Sequence, residues 1–432
     1  MKKVLVFLVL ISMIFAACGA PGSAPGSSPP TEAPAEAAAE PVEVEFWHSL
    51  TGAYGDVLNE LIDEYNTSQG VATVIGVYQG NYQDTQKALL AELAAGGSPD
   101  VGQLEASFSA TMVAAGALRP VQDFIDDADV GLSQDIVDAI YPGFRSVSTF
   151  DGDMYTMPFN MSMPVLYYNA TMLEEAGVEP PETWDDFLAA CTAVTSGDQF
   201  GFTINPGNVW VIEALMMQNG GLLFNADYTE VLFNKPEAVA GLDLWVDTVN
   251  QGCGKMQGWQ DGRTEFFNGN VAFYKDSSGG ISGVKDSIVA DFELGVTHLP
   301  WGKEQVVTIG GATVGIFSAS PEAEQLAAWD FVKFMTSPEA VSRLSADTGY
   351  LPTSALASEL DPLKSLLAED ALRASLLESL PFLRPRPSVA GYAEIQAYLR
   401  EAIEAATLLQ VSSQEALDTA AAEAQQVLDD NK

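Results

Sequence analysis

Histidine is nearly missing from this chain of 432 residues: His48 and His298 are the only two, and neither sits in a metal-ligand spacing. No His-Glu-x-x-His, Gly-x-Ser-x-Gly, phosphate-loop or dinucleotide fingerprint occurs. Metal-assisted hydrolysis, triad chemistry and nucleotide use therefore lack their parts, and no metal or cofactor is called for. Basic residues are also few, 19 Lys and Arg against 59 Asp and Glu, for a net charge of −40. That balance argues against nucleic acid and anionic lipid surfaces as partners. It would slow an anionic ligand too, although a local cluster of donors overrides the field at short range. With so many acids accidental carboxylate pairs abound, so a pair as such is a weak sign of glycosidase chemistry. Cysteine is confined to Cys18, Cys191 and Cys253.

The one long apolar run is at the start. Lys2 and Lys3 precede Val4 to Phe15, and the run closes on Ala16-Ala17-Cys18, the layout of an export signal over residues 1–17. The 14 residues from Val4 to Ala17 are short of the ~20 that cross a bilayer as a helix. Cysteine after two small residues resembles the bacterial lipoprotein box, which makes Cys18 the expected lipid-bearing residue; ordinary cleavage with Cys18 incidental is the alternative. Residues 18–40 are almost wholly Gly, Ala, Pro, Ser, Thr and Glu, too poor in large apolar groups to order a backbone. They read as a disordered tether between a membrane anchor and an exported body. In an oxidising exterior Cys191 and Cys253 can pair or remain packed free thiols, and sequence leaves both open.

The remaining ~390 residues exceed one core, so two lobes are expected. Val42 to Phe46 alternates as a strand; Val57, Leu58, Leu61, Ile62 and Tyr65 recur at helical spacing; a β-branched run covers 71–77, and a helix over 84–95 stops at Gly96-Gly97-Ser98-Pro99. Strands are expected near Val101, at 164–168, at 201–204 and after Gly311, with a capping box at Thr183 and Asp186. The last hundred residues read as mostly helical. This alternation is α/β, with a largely parallel sheet covered by helices.

Six polar, aromatic and glycine-bearing clusters stand where strands give way to loops: Phe46-Trp47-His48-Ser49, Tyr78-Gln79-Gly80-Asn81-Tyr82, Pro158-Phe159-Asn160-Met161-Ser162, Ser277-Ser278-Gly279-Gly280, Ile309-Gly310-Gly311-Ala312 and Thr348-Gly349-Tyr350-Leu351-Pro352. Ligands of open α/β sheets gather at such strand ends. Tyrosine faces suit sugar C–H surfaces, and glycine-flanked N–H groups can receive an oxyanion.

These clusters, with Pro164-Val165-Leu166-Tyr167-Tyr168-Asn169, Asn268-Gly269 after Phe266, and Ala416-Leu417-Asp418, resemble the extracellular solute-binding proteins of ABC importers (family 1) over about residues 42–428. Within that family the likeness is greatest to members that bind glycerol-3-phosphate. The resemblance implies a two-lobed periplasmic-binding-protein-like fold (type II) with a helical C-terminal region, one lobe from 41–155 plus 310–352 and the other from 156–309 plus 353–432. The lobes would close by a hinge at 158–164 and 308–312. It implies a monomer that captures a small hydroxylated solute and delivers it to the transmembrane subunits of a permease. No bond would be made or broken.

Carried across position by position, the family's ligand contacts fall on Tyr82, Ser162, Ser277, Gly311 and Tyr350. Tyr82 would stack or donate, Ser162 and Ser277 would donate hydroxyls, Gly311 would offer its N–H and Tyr350 its phenol. Three positions depart. The acidic position falls at Ala106, and a one-residue slip brings in Glu105; the tryptophan position is lost, with Trp210 a few residues away; the phosphate-pairing arginine becomes Gln396. Arg384, Arg386 and Arg400 are near in sequence but read better as solvated charges or local anchors. The ligand implied is glycerol-3-phosphate or a glycerophosphodiester. Gln396, whose neutral amide holds phosphate about half as strongly as a guanidinium, leaves a neutral oligosaccharide as the rival. A secreted glycan-acting enzyme and a sensory lipoprotein are the readings of another class.

Overall fold

Strict alternation puts Val44, Phe46 and His48 on the buried side of the strand Val42–His48, and the helical spacing that follows buries Leu58, Leu61, Ile62 and Tyr65 of the helix Ala53–Ser68. The computed structural model describes residues 41–431; the export segment, Cys18 and the tether lie outside the described residues. Two sheets organise the body. The first runs Ala72–Tyr78, Val42–His48, Val101–Glu105, Gly310–Phe317, Leu118–Arg119, with Thr156–Ser162 also paired to Gly310–Phe317. The second runs Gly254–Met256, Phe200–Ile204, Val271–Ser277, Pro164–Asn169, Leu294–His298.

Both sheets are mixed rather than largely parallel. Three neighbouring strands in each are parallel, and one strand beyond them, Gly310–Phe317 in the first and Pro164–Asn169 in the second, runs the other way and pairs antiparallel with every neighbour. A strand's residues specify its pleat and its burial but not its direction, which depends on where the chain comes from. Here the reversed strands are those that arrive from the other sheet. Only Met163 separates Ser162, in the first sheet, from Pro164, in the second, so Thr156–Ser162 goes with the first sheet although the sequence division above starts the second lobe at 156. Met163 is pinned at the crossing: its N–H donates to Ser278 Oγ (3.1 Å) and its carbonyl accepts from Ser278 N (2.8 Å).

Local signals hold where they are strongest. Thr183 and Asp186 form a reciprocal capping box on the helix Trp184–Val194. The helix expected over 84–95 begins two residues earlier, at Tyr82, because the Asn81 side chain accepts from the N–H groups of Gln83 and Asp84. Gly96, at φ 86°, ends it. The C-terminal helices Tyr392–Thr407 and Ser413–Asp430 pack on each other and on Val209–Gln218 and Pro236–Asn250 of the second half. Cys191, on Trp184–Val194, is disulfide-bonded to Cys253, with Cα atoms 5.6 Å apart. No described helix is long and apolar enough to cross a membrane.

Candidate functional site

One row of residues crosses the first sheet at its edge with the second half. Glu105 pairs with Ala312, and Ala312 pairs with Asn160. Asn160, fully buried, accepts from Gln103 Nε2 at 2.8 Å and donates from Nδ2 to the Tyr82 hydroxyl at 2.9 Å. Gln103 in turn accepts the N–H of Ser49 at 2.6 Å. Strand-end residues thus fix the phenol of Tyr82, whose position at the start of its helix is set by the Asn81 cap. Burial pushes the Tyr82 pKa up to about 12, and burial with the neighbouring Tyr82 phenol raises that of Tyr350 well above the usual value. Both stay protonated at neutral pH and can donate to a ligand oxygen.

Tyr350 also joins the two halves. Its ring lies 5.4 Å from that of Tyr54, whose hydroxyl donates to the carbonyl of Gly279 at 3.0 Å. A Cβ on Gly279 would come within 2.9 Å of the Tyr350 ring. Next to it, Ser277 Oγ accepts the N–H of Gly279 at 3.1 Å, which leaves its proton for another acceptor.

Gly311 sits at φ +89°, and a Cβ there would stand 2.1 Å from the carbonyl oxygen of Asn160. The ladder between the two strands slips just beyond it, between Ala312 and Thr313. Gly311→Ala is expected to cost about 2–4 kcal/mol, from the left-handed backbone and the overlap together. Urea denaturation checks it, and a loss below ~1 kcal/mol would mean that the bulge relaxes. Beside it, a Cβ on Gly310 would meet the Trp210 ring at 2.5 Å and Ser162 Oγ at 3.0 Å. Trp210 is therefore in contact with the row in spite of its displacement in sequence, and its indole N–H is buried without a partner among the described residues.

The charged centre of the site is an arginine set between two prolines, Pro385 and Pro387. Arg386 donates from Nε to Glu213 (2.6 Å) and from Nη1 to Glu105 (3.1 Å). Glu213, fully buried on the apolar helix Val209–Gln218, also accepts from the Tyr392 hydroxyl; Glu105 also accepts from Ser107 Oγ. Burial raises the Glu213 pKa, against the pull of Arg386. The expectation that Arg386 is a solvated charge or loop anchor is thus overturned: its side chain is 9% exposed and ties a carboxylate of the first sheet to one beside the second. Of the two acidic alternatives, Ala106 is packed in the core and Glu105 faces the guanidinium.

Gln396 stands apart. It is half-buried on Tyr392–Thr407, and its side chain makes no hydrogen bond among the described residues. One turn further, Arg400 lines an open pocket of about 510 Å³ with Asn205, Gly207, Met256, Gln257 and Glu404. Sequence reasoning passed over Gln103, Tyr54 and Glu213; only Glu213 carried a signal, as the lone acid of an otherwise apolar helix. Among the described residues no cluster of His, Cys, Asp and Glu could hold a metal ion.

Comparison with known proteins finds relatives along most of the chain. The sequence profile of a family described as bacterial extracellular solute-binding protein matches residues 60–370. The sn-glycerol-3-phosphate-binding periplasmic protein of Pectobacterium atrosepticum is 29% identical over 402 residues, 88% of this chain and 89% of the relative. Its counterpart from Yersinia pestis is 30% identical over 337 residues, 74% of this chain and 75% of the relative. Among solved structures, UgpB of Mycobacterium tuberculosis in complex with glycerophosphocholine superposes with a TM-score of 0.79 at 20% identity, covering 90% of this chain and 98% of that one. The cyclic alpha-maltosyl-1,6-maltose binding protein of Arthrobacter globiformis gives 0.77 at 24%, covering 90% and 100%.

Proposed function

The chain belongs to the bacterial extracellular solute-binding proteins, the capture components of ABC importers, and from that premise we propose that it takes up a small polyhydroxylated solute of the glycerol-3-phosphate or glycerophosphodiester class. The observation that carries this is the Glu105–Arg386 pair, its carboxylate near enough to the Tyr82 phenol to act on it, with Tyr350 against Tyr82. A carboxylate receives hydroxyls, a guanidinium receives phosphate, and the phenols, Ser162, Ser277 and the Gly311 N–H supply neutral donors around them. In this reading the groups bind the solute and no bond is made or broken. The solute would be held between two lobes, the first sheet with its helices against the second with the C-terminal helices, and handed to the permease in a membrane that Cys18 anchors the monomer to.

A second reading has its own support. Arg386 already faces two carboxylates, and Tyr54, Tyr82 and Tyr350 offer faces and hydroxyls that suit a neutral oligosaccharide. Calorimetric titration of the body from Gly19 with sn-glycerol-3-phosphate, glycerophosphocholine and di- and trisaccharides separates the two. Micromolar or tighter binding of a phosphate ligand is the expected result. Binding of neutral saccharides alone would overturn the phosphate reading in favour of the second.

A further inference from the structure

We infer that Lys275 supplies the uncompensated positive charge of the site, so that the ligand lies with its hydroxyls toward Glu105 and its anionic group toward Lys275 in the second half; this rests on the phosphate reading above. The charge on Arg386 is already taken up, since its guanidinium is shared between Glu105 and Glu213. An anion entering the site therefore needs a further cation. Lys275, on the strand Val271–Ser277 two residues before Ser277, is placed to be it.

Lys275 is the most deeply buried lysine or arginine among the described residues, at 7% exposure. Its side chain makes no hydrogen bond and no ion pair among them. Every other described lysine is either paired with a carboxylate or exposed to water. Burial pushes the Lys275 pKa down to about 8, and Asp276, next in the chain, pulls the other way, so the ammonium keeps its charge at neutral pH. A lone charge in such a place disfavours folding, where a methionine or leucine would not. A ligand anion that pairs with it accounts for its presence.

Successive residues of a strand face opposite ways. Tyr274 packs in one hydrophobic cluster, and Phe273 in another with Val209 and Ile212. Lys275 therefore shares the face of Phe273, the one covered by the helix Val209–Gln218 that carries Trp210. On that face its ladder partner Leu166 is fully buried, and back along the strand Phe273 is sealed by Phe187, which packs in turn on Phe202. Water reaches the ammonium all the same: unlike Trp210 Nε1, Lys275 Nζ is not enclosed. The open direction is forward, where Ser277 lies about 7 Å farther along the strand, opposite Pro164 and next to the crossing at Met163. A lysine stem reaches roughly 6 Å from its Cα at ordinary bond lengths and leans along the strand, so the ammonium comes level with Ser277. An ammonium with three donors, beside a serine hydroxyl whose proton is free, suits phosphoryl oxygens.

The test is calorimetric titration of the body from Gly19, wild type and Lys275→Met, with sn-glycerol-3-phosphate, glycerophosphocholine and maltotriose at two salt concentrations, alongside urea denaturation of both proteins. Methionine keeps most of the stem and removes the charge. Lys275→Met is expected to show a urea midpoint equal to or above that of wild type, to bind the phosphate ligands about tenfold or more weakly, and to lose most of the salt dependence of that binding. Lost affinity without lost stability is what a merely structural lysine does not give. Phosphate binding within about twofold of wild type, or a midpoint well below it, would overturn the assignment of Lys275 and leave the phosphate reading standing. Wild-type binding of maltotriose alone would overturn both.

Discussion

Arg386→Ala is expected to destabilise the protein by about 3–5 kcal/mol at neutral pH and to abolish ligand capture. Glu213 is fully buried on a helix whose other residues are almost all apolar, and removal of the guanidinium leaves its charge with only the Tyr392 hydroxyl. An isolated buried carboxylate costs several kcal/mol, and the helix Val209–Gln218 that carries it also carries Trp210 to the site. The loss should appear as a lower urea midpoint with an unchanged slope. A second variant separates the charge from the shape. Arg386→Met combined with Glu213→Leu removes both members of the inner pair and should recover most of the stability, since apolar replacement of a buried pair is often neutral or better, yet it should not recover binding. If Arg386→Ala costs less than ~1 kcal/mol, Glu213 is not held as a buried charge and the triad is not what joins the two halves.

The same variant has a pH signature. Burial raises the folded-state pKa of Glu213 above its usual value of 4.5, so the folded protein holds that proton more tightly than the unfolded chain. The contribution of Glu213 is therefore fully present below the unfolded value and is lost as pH rises through the folded one. Without Arg386 the folded value climbs further. The deficit of Arg386→Ala relative to wild type should then be largest at pH 8 and shrink toward pH 5, as Glu213 takes up its proton in the variant. Denaturation series at several pH values measure it; a deficit that grows on acidification would reverse the sign and overturn the assignment of the cost to Glu213.

What was legible in the sequence was what neighbours in the chain decide. Alternation over 42–46, the helical spacing to Tyr65 and the Thr183–Asp186 box are all set within a few residues, and the structure has them. The glycine and aromatic clusters were legible as strand ends, and strand ends on adjacent strands meet: Glu105, Ala312 and Asn160 form one row because of register, which the local pattern does not state. The charged centre was not legible. Arg386 finds Glu213 and Glu105 across 173 and 281 positions, and nothing local distinguishes it from Arg384 two residues away, whose guanidinium bonds only the backbone carbonyl of Leu383. Which arginine is buried is decided by packing between elements. The direction of the reversed strands was hidden for the same reason.

The disulfide belongs with these long-range facts, and its removal is the second large effect to expect. Cys191→Ala with Cys253→Ala should lower stability by about 4 kcal/mol, the loop-closure cost released in the unfolded chain for a bridge of this length, which here spans 62 positions. The bridge ties the helix Trp184–Val194 to the residue that leads into the edge strand Gly254–Met256, a strand of three residues with little ladder of its own. Both cysteines are fully buried, and Gly201 packs so closely on Cys191 that a Cβ would stand 2.6 Å from its sulfur, so the double alanine variant also leaves a small void. Export into an oxidising compartment fits a bridge in this place. Yet neither cysteine touches Glu105, Arg386, Tyr82 or Tyr350. Denaturation should therefore report a large loss while titration at low temperature, where the variant is still folded, reports ligand affinity within about twofold of wild type. Equal stability with and without the bridge would mean that the unfolded chain is already constrained at this loop, and lost affinity in the folded variant would mean that the edge strand acts on the ligand site from a distance.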